Sequence, residues 1–296
     1  MRVAAPERRA AAALAAAAVA LAAALAAPSA NVDRRVFDGV VVFDITQSMN
    51  TLDYTLGGRP ASRLAFAKAR ARAALAELPC GSRVGWGVFT EYRSYFLLMP
   101  TEVCANYGDL AAALDRIDGG MAWAGGSQVA KGLYSALRIA AAAPSRPAIA
   151  FISDGHEAPP PEPGFLQPFQ GTPGAVRGVV IGAGGPLARP IPKFDPFGRP
   201  LGEWAREDVV QTPSGNEHLS SRHEAYLKTL ASVTGLAYRS LDQDGDLAAM
   251  LMDEQATRRE TARMPLRVPA AALALGLTLA AIDPRRRWPA RRLVRS

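Results

Sequence analysis

Residues 40–50 read Val-Val-Val-Phe-Asp-Ile-Thr-Gln-Ser-Met-Asn, an apolar run followed directly by a polar turn. A continuous run of valine and phenylalanine predicts a strand that is buried on both faces, as in the centre of a parallel sheet. The turn begins with Asp44 and places Thr46 and Ser48 at alternate positions after it. Ligands of doubly wound α/β sheets bind at the carboxyl ends of the strands, so this turn is the first candidate for a functional site.

Strands and helices alternate over the rest of the middle of the chain. This alternation predicts an α/β fold with a doubly wound, mostly parallel sheet. Long stretches rich in Pro and Gly interrupt it at 158–174 and 184–204, and the second is interpreted as an inserted loop or hairpin. Strands are predicted at 36–43, 83–90, 94–99, 147–152, 178–182 and 237–241, and helices at 59–78, 109–117, 128–142, 218–233 and 247–259.

The net charge of +7 lies at the two ends of the chain. Residues 1–30 carry +2 and residues 267–296 carry +6, so residues 31–266 carry −1. A middle that is nearly neutral offers no general basic surface for phosphates, which argues against a nucleic-acid-binding protein.

The N-terminal end has the layout of a secretory signal. Ala10 to Ala27 is apolar and follows Arg8 and Arg9, and small residues come directly after it. Residues 1–30 are therefore predicted to be a signal peptide or an N-terminal membrane anchor.

The C-terminal end has the layout of a membrane anchor. Residues 264–283 are predicted to be a transmembrane helix, and the arginine-rich tail 284–296 then marks the cytoplasmic side. A buried helix with a solvated basic tail is the alternative. We therefore expect a bacterial inner-membrane protein whose main domain, residues 31–260, lies in the periplasm.

Two further oxygen-bearing motifs stand at element boundaries. Gly125-Gly126-Ser127 precedes a predicted helix, and Ser153-Asp154-Gly155 follows a predicted buried strand. Together with the turn at Asp44 they supply carboxylates and hydroxyls, the oxygen ligands that hard divalent cations take.

In this order, Asp44-x-Thr46-x-Ser48, Gly-Gly-Ser127 and Ser-Asp154-Gly resemble the metal-ion-dependent adhesion site of von Willebrand factor A domains. The family usually has serine where Thr46 stands and threonine where Ser127 stands, so every position keeps its oxygen donor. The resemblance spans roughly residues 36–255. It implies an A-type fold, with one antiparallel edge strand, that binds a divalent cation: Mg²⁺ first, with Ca²⁺ or Mn²⁺ as alternatives.

The same resemblance implies how the site works. Asp44, Thr46, Ser48, Ser127 and Asp154 hold the cation directly or through water, and a carboxylate of a partner protein completes its coordination. No enzymatic activity is expected. Ser48, His156 and Asp44 would suit a hydrolase in principle, but Gly-x-Ser-x-Gly is absent and the chain has only three histidines.

Two segments are similar to one particular group of proteins with this domain. Asp44 to Asn50 and Ser153 to Pro159 are similar to the MxaL-type accessory proteins of methanol oxidation clusters. This similarity implies a periplasmic, membrane-associated factor for maturation of, or metal insertion into, a quinoprotein dehydrogenase, with that enzyme or its assembly factors as partner. The alternative is a general A-domain scaffold in an envelope complex linked to a MoxR-type ATPase system.

Cys80 and Cys104 are the only cysteines. An oxidising periplasm favours a disulfide between them, and two buried free thiols are the alternative. In the fold that the resemblance implies, the second and third strands pair antiparallel. Cys80 precedes the second strand and Cys104 follows the third, so the two residues are expected to lie close together.

Overall fold

The computed structural model describes residues 5–26, 29–162, 164–195, 198–211 and 216–282. Its described residues divide into two compact units, one made of those up to Arg34 and from Glu260 onward, and the other of those between Arg35 and Arg259. Residues 27 and 28, at the end of the predicted signal, and the basic tail 284–296 lie outside the described residues.

Thirteen strands and seven α-helices are described. The strands are β1 (Ser29–Asp44), β2 (Tyr54–Leu56), β3 (Arg59–Ala61), β4 (Arg83–Thr90), β5 (Arg93–Glu102), β6 (Ala148–Ser153), β7 (Gly178–Ala183), β8 (Arg189–Pro190), β9 (Pro192–Phe194), β10 (Pro200–Glu203), β11 (Leu219–Ser220), β12 (Ala237–Leu241) and β13 (Thr257–Pro265). The helices are α1 (Ala5–Leu25), α2 (Arg63–Glu77), α3 (Tyr107–Asp115), α4 (Val129–Ala142), α5 (Glu224–Thr234), α6 (Leu247–Leu251) and α7 (Arg267–Ile282).

The central sheet follows the order β12-β7-β6-β1-β4-β5, and β13 also pairs with β1. Strands β12, β7, β6, β1 and β4 run parallel, while the edge strand β5 is antiparallel to β4. This topology confirms the fold class predicted from the sequence. It also brings the carboxyl ends of β1 and β6 side by side, because Phe43 pairs with Ile152.

The sheet is covered on both faces, which explains its continuous apolar strands. Alternate residues of β1 point to opposite sides: Val41 and Phe43 pack with α2, α3 and α6, whereas Val40 and Val42 pack with α4 and α5. All of these side chains are fully buried. A strand buried on both faces is what the run at 40–43 predicts.

Three helix predictions need correction. The helix predicted at 218–233 begins only at Glu224, because Leu219 and Ser220 form β11 and pair with β8. The helix predicted at 59–78 begins only at Arg63, because Gly57 and Gly58 adopt positive φ and turn a short β2–β3 hairpin before it. Ser62 caps the helix by accepting a hydrogen bond from Ala65 N at 3.1 Å. The helix predicted at 247–259 is wrong beyond Leu251.

The inserted hairpin predicted around 184–204 is present. Strands β9 and β10 pair antiparallel, and β8 pairs with β11 further along the chain. We call residues 189–211 the insert. It lies between β7 and α5, and therefore also between β7 and its sheet neighbour β12.

The terminal unit contains α1 and α7. Helix α7 occupies most of the stretch predicted to span a membrane, 264–283, and it has 16 residues. In the described part of the chain, we find no helix that combines enough length with enough apolar character for a membrane crossing.

Cys80 and Cys104 form a disulfide, with their Cα atoms 5.3 Å apart. They are brought together by the antiparallel pairing of β4 and β5, in which Arg83 lies opposite Glu102. The bond joins the start of β4 to the end of β5. It is therefore at the opposite end of β4 from the carboxyl edge of the sheet.

Gly132 sets the distance between α4 and the sheet. A Cβ atom at this position would lie 2.1 Å from the buried ring of Phe89. We expect Gly132→Ala to lower the free energy of unfolding by about 1–3 kcal/mol, because the ring has no space to retreat. Chemical denaturation measures the change.

Gly108→Ala is the matched control. Gly108 lies in α3 with no atom within 4 Å of a built Cβ, so alanine should stabilise the helix by about 0.5–1 kcal/mol. Equal effects at the two positions would contradict the proposed packing.

Candidate cation site

Asp44 is the last residue of β1 and is completely buried. Its Oδ1 accepts hydrogen bonds from the Thr46 backbone N at 2.9 Å and from Thr46 Oγ1 at 2.6 Å. Its Oδ2 accepts one from Ser153 Oγ at 2.7 Å. The carboxylate is thus held by its own turn and by the neighbouring strand β6, so its orientation is fixed.

The turn after Asp44 tightens at once into a 3₁₀ helix, Gln47–Asn50. Met49 N donates to Thr46 O at 3.0 Å, and Thr51 N donates to Ser48 O at 3.1 Å. This tight turn keeps Thr46 and Ser48 buried at the carboxyl edge of the sheet.

Ser127 reaches the same place from a separate loop. Its backbone N donates to Ala158 O at 2.6 Å, and Ala158 N donates back to Ser127 O at 2.7 Å. Gln128 N donates to Glu91 O at 2.5 Å on the other side. Ser127 is therefore clamped between two neighbouring loops directly before α4.

Asp154 follows β6 and is completely buried. Its Oδ2 accepts hydrogen bonds from Arg63 Nη1 at 2.5 Å and from Ser220 Oγ at 3.0 Å. Its Oδ1 accepts one from His156 N at 3.0 Å. Gly155, with φ of +78°, allows the sharp turn.

Arg63 is a fully buried arginine at the start of α2. Besides Asp154 it pairs with Asp53, donating from Nε at 2.9 Å and from Nη2 at 2.7 Å. It also donates to the side chain and the backbone carbonyl of Ser220. A guanidinium with five fixed donors suits such a shared arrangement.

The two carboxylates differ in their electrostatic environment. Burial and the nearby charge of Asp154 raise the pKa of Asp44 to about 7. Burial also acts to raise the pKa of Asp154, but Arg63, His156 and the hydrogen bonds to the carboxylate together hold that pKa below its usual value. Asp154 is therefore charge-compensated within the protein, whereas Asp44 has no cationic partner among the described residues.

Two buried hydroxyls at the site have no ordinary partner. Ser127 Oγ makes no hydrogen bond. The Ser48 hydroxyl approaches Asp154 closely enough to help hold its pKa down, yet it too makes no hydrogen bond of normal geometry. Buried hydroxyls without partners are rare in folded proteins. Together with Asp44, they are a donor set that fits a hard divalent cation.

The structure brings together all five residues that the motifs single out. Thr46, Ser48 and Ser127 line one cavity of about 330 Å³, and the two carboxylates lie buried behind it. Arg63 is not among the residues that the motifs single out, although an arginine at the start of the apolar stripe of α2 was a usable signal. Ser153 stands in the Ser153-Asp154-Gly155 motif, but its hydrogen bond to Asp44 was not predicted. The sequence holds no sign that Ser220 reaches Asp154.

Comparison with models of protein families and with curated proteins found no match. Among solved structures, the chain is similar to an aerotolerance-related membrane protein from Bacteroides fragilis carrying multiple mutations to serine. The identity is 20%, the match covers 74% of this chain and 98% of that one, and the TM-score is 0.51.

The chain is also similar to the conserved hypothetical protein BatB from Bacteroides thetaiotaomicron, with 18% identity, 73% and 95% coverage of the two chains and a TM-score of 0.50. A further match is the ArnB paralog VWA2 from Sulfolobus acidocaldarius, with 13% identity, 76% and 47% coverage and a TM-score of 0.40. The two Bacteroides proteins share the fold of this chain.

We expect Arg63→Met to lower the free energy of unfolding by about 3–5 kcal/mol, because it leaves Asp53 and Asp154 buried without their counter-ion. Arg72→Met is the control on the same helix. It removes an ion pair with Asp115 that is largely exposed and should change stability by about 1 kcal/mol at most. Denaturant titration compares the two, and similar losses would contradict the role assigned to Arg63.

We expect Asp44→Asn to stabilise the protein at pH 8 when divalent cations are absent. Between the ordinary pKa of 3.8 and about 7, folded Asp44 keeps a proton that the unfolded chain has lost. The free energy of unfolding of the wild type therefore falls as pH rises through this window. Asparagine cannot ionise and escapes this loss.

The advantage of Asp44→Asn over wild type should grow by on the order of 2 kcal/mol between about pH 4 and pH 8. Denaturation in the presence of EDTA at both pH values measures it. A difference that does not depend on pH would rule out the raised pKa.

Proposed function

We propose that residues 35–259 form a von Willebrand factor A-type domain that binds a divalent cation and uses it to dock a partner protein. The observation that carries this proposal is the pair of buried hydroxyls, Ser48 Oγ and Ser127 Oγ, without ordinary partners beside Asp44. A cation would satisfy both hydroxyls and the carboxylate at once.

The donors of the site favour specific roles. Asp44 offers its remaining lone pairs, and Thr46, Ser48 and Ser127 offer neutral hydroxyl oxygens. Arg63 already compensates the charge of Asp154, so Asp154 would act through a bridging water. A cation with a single carboxylate in direct contact keeps a positive charge, and it would attract a carboxylate from a partner.

The same site offers little for catalysis. Burial lowers the pKa of His156, which keeps the imidazole neutral, and Asp44 is bonded to Thr46 and Ser153. We therefore propose a binding function in preference to a metal-dependent hydrolase.

For the partner, we propose a periplasmic quinoprotein dehydrogenase or one of its assembly factors. This rests on the sequence similarity of residues 44–50 and 153–159 to MxaL-type proteins. The alternative is a scaffold in an envelope complex, and two solved structures of similar fold come from an aerotolerance-related membrane protein and from BatB. Attachment to the inner membrane remains a prediction from the sequence.

Isothermal titration of the full chain with MgCl₂, CaCl₂ and MnCl₂ tests cation binding. We expect binding by the wild type, its loss in Asp44→Ala, and a drop in affinity of about tenfold in Ser127→Ala, because one ligand is removed. Unchanged affinity in Asp44→Ala would refute the site.

Asp246→Ala is the matched carboxylate control. Asp246 lies in an Asp-rich turn, where its Oδ1 accepts a hydrogen bond from Ala249 N and caps α6. Its loss should lower stability by about 1 kcal/mol and leave cation affinity unchanged.

Partner docking is tested by pull-down from membranes with the full chain, in Mg²⁺ and in EDTA. A dehydrogenase subunit or assembly factor captured by the wild type in Mg²⁺, but not by Asp44→Ala, is the expected result. Capture that is equal for the two proteins would argue against docking through the cation.

A further inference from the structure

The insert forms one wall of the cavity at the candidate cation site. Ile191, Trp204 and Val209 line this cavity together with the hydroxyls of Thr46, Ser48 and Ser127. Pro159 and Pro160 add further apolar surface from the loop after β6. The lining of the cavity therefore combines hydroxyl groups with apolar side chains.

Trp204 is held in place by three contacts. Its Nε1 donates to Gln47 Oε1 at 2.7 Å, and its backbone N donates to Ile191 O at 3.0 Å. The Lys193 ammonium lies 4.4 Å from the centre of its ring. Gln47 stands between two of the candidate cation ligands, so the wall is tied directly to the metal-binding turn.

His156 supplies an unused polar group to the same cavity. The residue is 4% exposed and lines the cavity, and its Nδ1 is buried without a hydrogen-bond partner. A neutral imidazole can donate from Nδ1. A ligand with one oxygen on the cation could therefore place a second oxygen against His156.

The acidic side chains that line this cavity, Glu157, Asp208 and Glu217, all take part in interactions within the protein. Glu157 accepts hydrogen bonds from the Tyr226 hydroxyl and from Ala130 N, and Asp208 pairs with Lys193 at 3.1 Å. Glu217 acts electrostatically on His156. A divalent cation bound to Asp44 and the hydroxyls would therefore attract a carboxylate into the cavity, although acidic side chains line it.

We propose that the site takes a carboxylate with an apolar group of about the size of a leucine side chain directly beside it. The carboxylate would bind the cation and His156, and the apolar group would pack against Trp204, Ile191 and Val209. A cavity of about 330 Å³ has room for one such group. This inference rests on the proposed function, because it requires a bound cation.

Isothermal titration of the Mg²⁺-loaded full chain with three matched probes tests the inference. N-acetylleucine carries both groups, N-acetylglycine lacks the apolar group, and N-acetylleucinamide lacks the carboxylate. We expect N-acetylleucine to bind about 10-fold more tightly than N-acetylglycine, because burying a small apolar group gives this order of discrimination. N-acetylleucinamide should not bind measurably.

Two tryptophan variants test whether the preference for N-acetylleucine comes from the insert. Trp204→Ala should reduce the ratio of the N-acetylleucine and N-acetylglycine affinities toward one. Trp123→Ala is the matched control, because Trp123 also donates from Nε1 to a side chain, that of Glu91, but it does not line this cavity. It should leave the ratio unchanged.

The source of the ligand is distinguished by a fourth probe. Isovalerate presents the same carboxylate and branched apolar group as a free acid, whereas N-acetylleucine mimics the end of a peptide chain. Either one binding more tightly than N-acetylglycine supports the proposed chemistry, and the tighter of the two identifies the source.

These experiments distinguish a failure of this inference from a failure of the proposed function. If Mg²⁺ binds and all carboxylates bind equally, or if Trp204→Ala keeps the full ratio, the inference is overturned while the cation site stands. If Mg²⁺ does not bind to the wild type, the proposed function fails, and this inference fails with it.

Discussion

A single buried guanidinium connects the parts of the molecule on which the candidate site depends. Arg63, at the start of α2, joins Asp53 before that helix, Asp154 after β6 and Ser220 beyond the insert. Burial acts to lower its pKa, but its carboxylate partners keep that pKa above the usual value. Because a buried ion pair is costly to break, these three segments are held in one arrangement, and Asp154 stays ionised without a bound cation.

The fold was predictable where local pattern and tertiary context agree. The strand predicted at 83–90 has the observed bounds, and so does the one at 237–241. The prediction and the structure disagree where the conformation of a short stretch is determined by strand pairing with residues far away in the sequence. Residues 257–259 continue a helical pattern in the sequence, but they form a strand because β13 pairs with β1, some 220 residues earlier in the chain.

The candidate site was predictable to the extent that its residues follow strands in recognisable motifs. Asp44 and Asp154 could be chosen because the carboxyl ends of neighbouring parallel strands meet at one edge. Ser127 precedes a helix instead, and it was assigned to the site through the resemblance to A domains. The side-chain contacts around these residues could not be predicted from the sequence. Ser220 and Trp204 lie far along the chain, and nothing in their local sequence shows that they reach Asp154 and Gln47.

The insert lies at a place in the chain where its own sequence can change while the strand order of the central sheet stays the same. It leaves the sheet after β7, and the chain returns to pair β12 with that same strand. Its length and composition can therefore vary without disturbing the strand order, and only its Trp204 contact with Gln47 links it to the turn after Asp44 among the hydrogen bonds described above. A family built on this plan would keep one sheet with its strand-end turns and exchange the loop beside them, so related chains could diverge in what they bind while sharing one fold.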